Sequence, residues 1–292
     1  MLLCHYCGYE EQRAASCPVC GSKYLLGFKA GTEQIEEALY KEFPGVRVLR
    51  MDADTTKSKE SYEKILSAFA DKRADILVGT QMIVKGHDFP DVTLVGVLAA
   101  DLSLNQNDYR AGERTFQLLT QAAGRAGRGD KPGEVVIQTY QPEHYSIVHA
   151  AMQDYQGFYE EEITYRELMQ YPPAAHMLAV LITSRQQEQG EALSREMAAV
   201  IDARMRADGE SAGEDTAETK VGTEKAWQRL QVIGPAEASI SKINDQYRHV
   251  FYIKHPDYQM LVRIKDILEH FCKEKELKNQ TVQYDFDPMN TY

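Results

Sequence analysis

The sequence predicts a parallel α/β domain followed by a smaller α+β domain, with a cysteine-rich segment in front. Three observations carry this reading. Over residues 25–150, short and almost wholly apolar segments alternate with amphipathic helical stretches, the pattern of a parallel sheet with helices on its faces. Beyond Pro172-Pro173 the segments run strand, helix, strand, strand, helix, strand, which is the order of a ferredoxin-like domain. Four of the five cysteines fall within the first twenty residues. A length of 292 residues suits two domains and an appendage.

Each element has its own signal. Residues 24–29 read as a strand, and Thr32 as the N-cap of a helix with Glu33 and Glu36 in its first turn and Ile35, Leu39 and Phe43 as its apolar stripe. Pro44-Gly45 ends it. A strand over 46–51 runs into Asp52 and Asp54, and a helix over 59–70 carries Tyr62, Ile65, Leu66 and Phe69 on one face. Residues 76–78 form a short strand ending at Gly79-Thr80, and 92–99 another ending at Asp101. A helix over 111–123 and a strand over 134–139 complete the domain. Parallel sheets bind ligands at the carboxyl ends of their strands, and Thr80, Asp101 and the glycine-rich turn after residue 123 are expected at that edge.

A polar helix over 154–171 leads to the double proline, a domain boundary. Then follow a strand (177–183), a helix (about 186–206), a solvated loop (208–225), strands at 230–240 and 249–254, a helix (256–273) and a strand (281–286). The segments are therefore 1–24, 25–150, 151–173 and 174–292. Lys242, Arg248, His249 and Lys254 make the last domain's best basic strip, for which a solvated hairpin face is the plainer reading. Cys272, among Ile267, Leu268 and Phe271, reads as a core residue.

Composition excludes several classes. With 43% hydrophobic and 26% charged residues the chain is not intrinsically disordered, and its longest uncharged apolar run, 92–100, is too short to span a bilayer. A net charge of −11 argues against bulk electrostatic binding of nucleic acid, though not against a local basic face. The first residues carry no secretory signal, so a cytoplasmic location is expected.

Cys4-x-x-Cys7 and Cys17-x-x-Cys20, with Gly8 and Gly21 directly after the second cysteine of each pair, make a zinc-knuckle pattern. Two thiolates at this spacing reach one tetrahedral ion, and the glycine lets backbone amides turn toward the sulfurs. The spacing does not decide whether the pairs share an ion. His5 reads as a bystander.

Two segments carry further chemistry. In 121–129, Gln121, Arg125 and Arg128 fall at i, i+4 and i+7, one face of a helix that runs into a glycine-rich turn. Two guanidiniums there can grip a polyphosphate, but arginines near a helix end also simply complement the dipole. In 76–90, Gly79-Thr80 offers a hydroxyl and amides to a phosphate, Lys85 and Gly86 follow, and Asp88 is placed to orient a ribose or a water.

Together the two segments resemble motifs V and VI of superfamily 2 helicases, with residues 28–33 in the place of motif IV. The cysteine pairs before Gly31-Thr32-Glu33, then Phe43-Pro44, Asp52-x-Asp54-Thr55-Thr56, Gly79-Thr80-Gln81-Met82 and Lys85-Gly86-His87-x-Phe89-Pro90, are similar to the primosomal protein N′ family, the PriA-type helicases of bacterial replication restart. The resemblance implies a RecA-like second helicase lobe, an S10-like terminal domain, and an ATP-dependent 3′→5′ DNA helicase that recognises stalled forks and D-loops. It implies forked and single-stranded DNA, primosome proteins and single-stranded-DNA-binding protein as partners, and no membrane. Residue by residue, it implies Arg125, Arg128 and Asp88 at the nucleotide, with Arg128 as arginine finger and Gln121 coupling nucleotide to lobe interface. Gly31, Thr32, Thr80 and Lys85 would hold DNA, and Cys4, Cys7, Cys17 and Cys20 zinc.

The sequence departs from the family in holding no G-x-x-x-x-G-K-[ST] phosphate loop and no acidic pair in a Walker B setting, so ATP and Mg²⁺ would be bound mostly by a first lobe absent here. In that family eight cysteines build two zinc sites, and four leave open one shared ion or two half-sites. A non-catalytic, zinc-containing nucleic-acid-binding module is the alternative. A self-contained enzyme using the Asp101 edge would need a complete glycine-rich nucleotide loop, which is missing.

Overall fold

The computed structural model describes residues 2–3, 10–11, 16, 20–22, 31–84, 89–210, 227, 229–275 and 277–292. The chain divides into two compact units, one of residues 15–106 and 111–158, the other of residues 1–14, 107–110 and 159–292. Leu2–Leu3 (β1) and Glu10–Glu11 (β2) form a short antiparallel pair. The strand predicted at 24–29 lies outside the described residues.

In the first unit, α1 (Thr32–Glu42) follows Gly31, which takes the N-cap position expected of Thr32. β3 (Val48–Met51) and β4 (Ile76–Gly79) pair in parallel, Val48 opposite Ile76. Their entrance is pinned by Arg47, whose guanidinium makes two bonds to Asp75, at 3.0 and 2.6 Å. Between them α2 (Lys59–Ala70) starts where Ser58 accepts from the Ser61 amide at 3.1 Å and turns Leu66 into the core. After a single 3₁₀ turn at Gln81–Val84 come β5 (Leu94–Val97), α3 (Asp101–Leu104), α4 (Ala111–Ala123) and β6 (Glu134–Ile137), with β5 and β6 again parallel.

Among the described residues the parallel strands form two separate pairs rather than one sheet. The strands are also less enclosed than their apolar runs suggested: Leu94 and Val136 are 60% and 51% exposed. Two helices had no strong sequence signal, α3 and α5 (Tyr145–Met152), the latter capped by His144 accepting from the Ser146 amide at 3.2 Å. Ala111, Thr115, Phe116, Leu119 and Ala122 are the buried stripe of α4. Phe116 stacks on Phe158, ring centres 4.1 Å apart, in a core with Ala100, Leu119, Ile147 and Ala150.

α6 (Tyr155–Met169) leads into the second unit, built of β7 (His176–Ser184), α7 (Gln187–Glu210), β8 (Gln231–Ile243), β9 (Gln246–His255), α8 (Tyr258–Glu274) and β10 (Gln280–Phe286). The antiparallel sheet order is β10-β7-β9-β8, fourth-first-third-second, the ferredoxin-like arrangement expected from the element order. Leu178, Val180, Ile182, Phe251 and Ile253 from the two central strands meet Leu193, Met197 and Ile201 of α7 and Leu261, Ile264 and Leu268 of α8. Cys272 is half-buried beside this core, 4.0 Å from the Tyr284 hydroxyl.

The basic strip does not exist as an exposed face. β9 is a central strand, so His249 and Lys254 are only 3% and 2% exposed, and Arg248 donates to the Ile240 carbonyl at 3.1 Å. The Lys254 ammonium donates to the Met169 carbonyl at 3.0 Å and lies 3.5 Å from the centre of the Tyr171 ring. Burial lowers its pKa to about 8. Between pH 8 and its ordinary value the unfolded chain holds the proton and the folded chain does not, so this group's contribution to stability rises with pH there. Lys254→Met is expected to stabilise the chain at pH 7 by about 1–2 kcal/mol, and the advantage should vanish near pH 10.5. Urea melts at both pH values check this; a destabilised variant at pH 7 would contradict it.

Candidate functional site

The arginine segment is organised by glycine and not by helix periodicity. α4 stops at Ala123, and the chain turns through amide bonds from Gly124 to the Thr120 carbonyl (3.0 Å) and from Arg125 to that of Ala122 (3.0 Å). Gly127 takes a left-handed φ of +71°, and its amide donates to the Val92 carbonyl at 3.0 Å. Arg125 and Arg128 thus lie beyond the helix and do not share a helical face with Gln121, which sits exposed on its last turn. Arg125 is half-buried. Arg128 is exposed, and its Nε donates back across the turn to the Gly124 carbonyl at 2.6 Å.

Close backbone approach makes this turn possible. A Cβ at Gly133 would stand 2.3 Å from the Gly127 nitrogen, and one at Gly129 2.5 Å from the Pro90 carbonyl oxygen. Glu134 donates to the Thr93 carbonyl at 2.8 Å. The two motif segments are therefore in direct contact: 124–133 packs on 90–93, the stretch that follows Lys85 to Phe89. This corrects one expectation. The glycine-rich turn lies at the start of β5, whereas Asp101 lies at the carboxyl ends of β5 and β6, the opposite end of the pair.

Asp101 is 5% exposed and serves as a joint. Its carboxylate accepts from the Tyr140 amide at 3.0 Å and the Thr139 hydroxyl at 2.9 Å, tying the end of β5 to the end of β6. Burial pushes its pKa up, but these hydrogen bonds outweigh burial and hold it below the ordinary carboxylate value. With its oxygens so engaged, it reads as structural.

Thr80 is exposed just past the carboxyl end of β4, and Gly79 before it is required because a Cβ would meet the Met51 carbonyl oxygen at 2.5 Å. Gly31 is exposed, and among the described residues a Cβ there would meet nothing within 4 Å; no side chain caps the start of α1 there. Thr32 donates its hydroxyl proton to Asp52 Oδ2 at 2.5 Å. Asp52 is the hub that the sequence reading missed. Its Oδ1 accepts from the amides of Asp54 (3.0 Å) and Thr55 (2.9 Å), and Arg50 Nε lies 3.1 Å from Oδ2. The Thr32 hydroxyl first, then Thr55 and the Arg50 guanidinium, lower its pKa against burial. Asp-x-Asp-Thr-Thr is an Asx-turn signal, but nothing in it points twenty residues back to Thr32.

Lys85 and Asp88 lie outside the described residues, as do Cys4, Cys7 and Cys17; Cys20 is exposed. Among the described residues no cluster of histidine, cysteine and carboxylate side chains could hold a metal, and no helix is long and apolar enough to cross a membrane.

The family model described as Helicase conserved C-terminal domain matches residues 22–130, which hold both motif segments, and that described as Primosomal protein N C-terminal domain matches 167–289. Replication restart protein PriA of Bacillus subtilis (strain 168) is 42% identical over 288 residues, covering 98% of this chain and 33% of that protein. PriA of Synechocystis (strain PCC 6803) is 36% identical over 290 residues, 99% of this chain and 32% of that protein. PriA of Haemophilus influenzae (strain Rd) is 36% identical over 292 residues, 99% of this chain and 37% of that protein. The chain belongs to the PriA family. It spans about a third of the length of these relatives. Thr32, Thr80, Gln121, Arg125 and Arg128 all fall in the helicase-domain match of this PriA-family chain, and the antiparallel sheet of its second unit falls in the primosomal match.

Proposed function

We propose that this chain is the second motor lobe and terminal domain of an ATP-dependent 3′→5′ DNA helicase that recognises stalled forks and D-loops and starts primosome assembly in the cytoplasm. The observation that carries the reading is the packing of the Gly124–Arg128 turn on residues 90–93. That contact brings the turn that carries both arginines against Pro90 and Val92, just after the segment that begins at Gly79-Thr80. Arginine donors on a glycine turn fit a polyphosphate, because guanidinium forks match phosphate oxygens. In this reading Arg125 and Asp88 hold the nucleotide, Arg128 neutralises charge developing on the transferred phosphoryl group, and Gln121 couples the nucleotide to the lobe interface. When bound, ATP with Mg²⁺ supplies the free energy of translocation. Gly31, Thr32, Thr80 and Lys85 hold phosphates of the tracked strand. Cys4, Cys7, Cys17 and Cys20 hold zinc in a module that works at the fork junction and docks primosome proteins and single-stranded-DNA-binding protein.

The chain contains no phosphate loop, so the purified chain is expected to show no ATP turnover above background, with or without DNA. DNA-stimulated turnover from this chain alone would refute the division of labour between lobes. A binding module without a motor accounts for the missing loop but gives Arg125 and Arg128 no task.

A further inference from the structure

A hydroxyl has one proton to give, and the oxygens of a phosphodiester backbone only accept. The Thr32 proton is already given to the Asp52 carboxylate. Asp52 does not depend on it for its place, since the amides of Asp54 and Thr55 and the Arg50 guanidinium fix a side chain in a residue that is only 9% exposed. Nor is its charge cancelled. The same guanidinium faces Glu36 at 3.8 Å and Glu33 at 4.0 Å, so among the described residues three carboxylates share this one cation. A fixed anion therefore holds the donor that a DNA phosphate at the start of α1 would use.

We propose that Asp52 is an internal competitor for the DNA phosphate at Thr32. The carboxylate occupies the hydroxyl until a backbone phosphate takes the proton in its place, so Asp52 sets how tightly this end of α1 grips the strand. The exchange needs only rotation of one hydroxyl. The inference rests on the proposed placement of Gly31 and Thr32 against DNA.

Asp52→Asn would keep an oxygen for the two amides and turn an NH₂ toward Thr32 and the Arg50 guanidinium, releasing the Thr32 proton and removing the repelling charge. The guanidinium keeps Glu33 and Glu36. Binding of a short oligo-dT to the full chain at low salt, followed by fluorescence anisotropy, is the test. Asp52→Asn is expected to bind about tenfold more tightly, the scale of one charge-assisted hydrogen bond. In a Thr32→Val background the same substitution should gain no more than about threefold, since only the lost charge still acts and the hydroxyl is gone. An unchanged affinity in Asp52→Asn, or a gain that persists undiminished beside Thr32→Val, overturns the proposal. If Asp52→Asn fails to melt cooperatively, Thr32→Ser replaces it: the freer χ1 of serine should raise affinity, and no rise overturns the proposal. Thr80→Val separates the two levels. Weaker binding in Thr80→Val with no response to Asp52→Asn sinks the competition and leaves the DNA reading standing; binding indifferent to Thr80→Val, Thr32→Val and Asp52→Asn sinks both.

Discussion

Arg128→Ala in the intact protein is expected to lower ATP turnover by a factor on the order of 10³ or more, the scale for an arginine that neutralises charge on a transferring phosphoryl group. Arg128 is exposed, so removing its side chain opens no core cavity, and losing its Nε bond to the Gly124 carbonyl should lower stability by no more than about 1 kcal/mol. The loss should fall in kcat and leave KM for ATP nearly unchanged, because the interaction matters where charge develops. Arg128→Lys should recover little, since an ammonium lacks the planar fork. Arg125→Ala should instead raise KM, as expected for a group that binds phosphate in ground and transition states alike. Steady-state ATPase assays with saturating DNA decide it. A turnover within a few-fold of wild type would remove the arginine-finger assignment.

Gly133→Ala should be the most damaging single methyl group in the first unit. The added Cβ would sit 2.3 Å from the Gly127 nitrogen and 2.4 Å from the Ala126 carbonyl carbon. These are backbone atoms, which no rotamer change can move aside. The two segments must part, and the hydrogen bond from the Gly127 amide to Val92 that anchors the arginine turn is strained with them. A cost of about 2–3 kcal/mol follows from overpacking against a rigid neighbour. Thermal melts should show it, and hydrogen exchange should rise at residues 124–134 relative to α8. An unaltered melt would mean the two glycine segments are not held in contact. Gly31→Ala is the control, because a Cβ there meets nothing within 4 Å.

Much of the fold was legible. The helices over 59–70 and 111–123 fell where they were read, because an apolar stripe marks the first and a glycine-rich turn stops the second. The terminal domain's order of elements implied its sheet order, since crossover connections admit few alternatives. The short helices α3 and α5 were missed: four and eight residues are too few for a periodicity to declare itself. Gln121, Arg125 and Arg128 were read as one face of a helix, and that shared face was an extrapolation past the glycine that ends the helix.

By itself, then, the sequence determined what depends on neighbours along the chain: helix extents, strand order, the glycine-rich turn and the motif residues that mark the family. The tertiary structure decided what depends on residues far apart. It set the arginine turn against the start of β5 through Gly127 and Val92, gave the Thr32 proton to Asp52, and enclosed Lys254 in a central strand beneath Tyr171. The physical reason is common to all three. Spacing and capping act within a turn or two of the chain, whereas the partner of a buried polar group is chosen by whichever distant donor or acceptor the packed fold brings within about 3 Å, and no local pattern encodes that meeting.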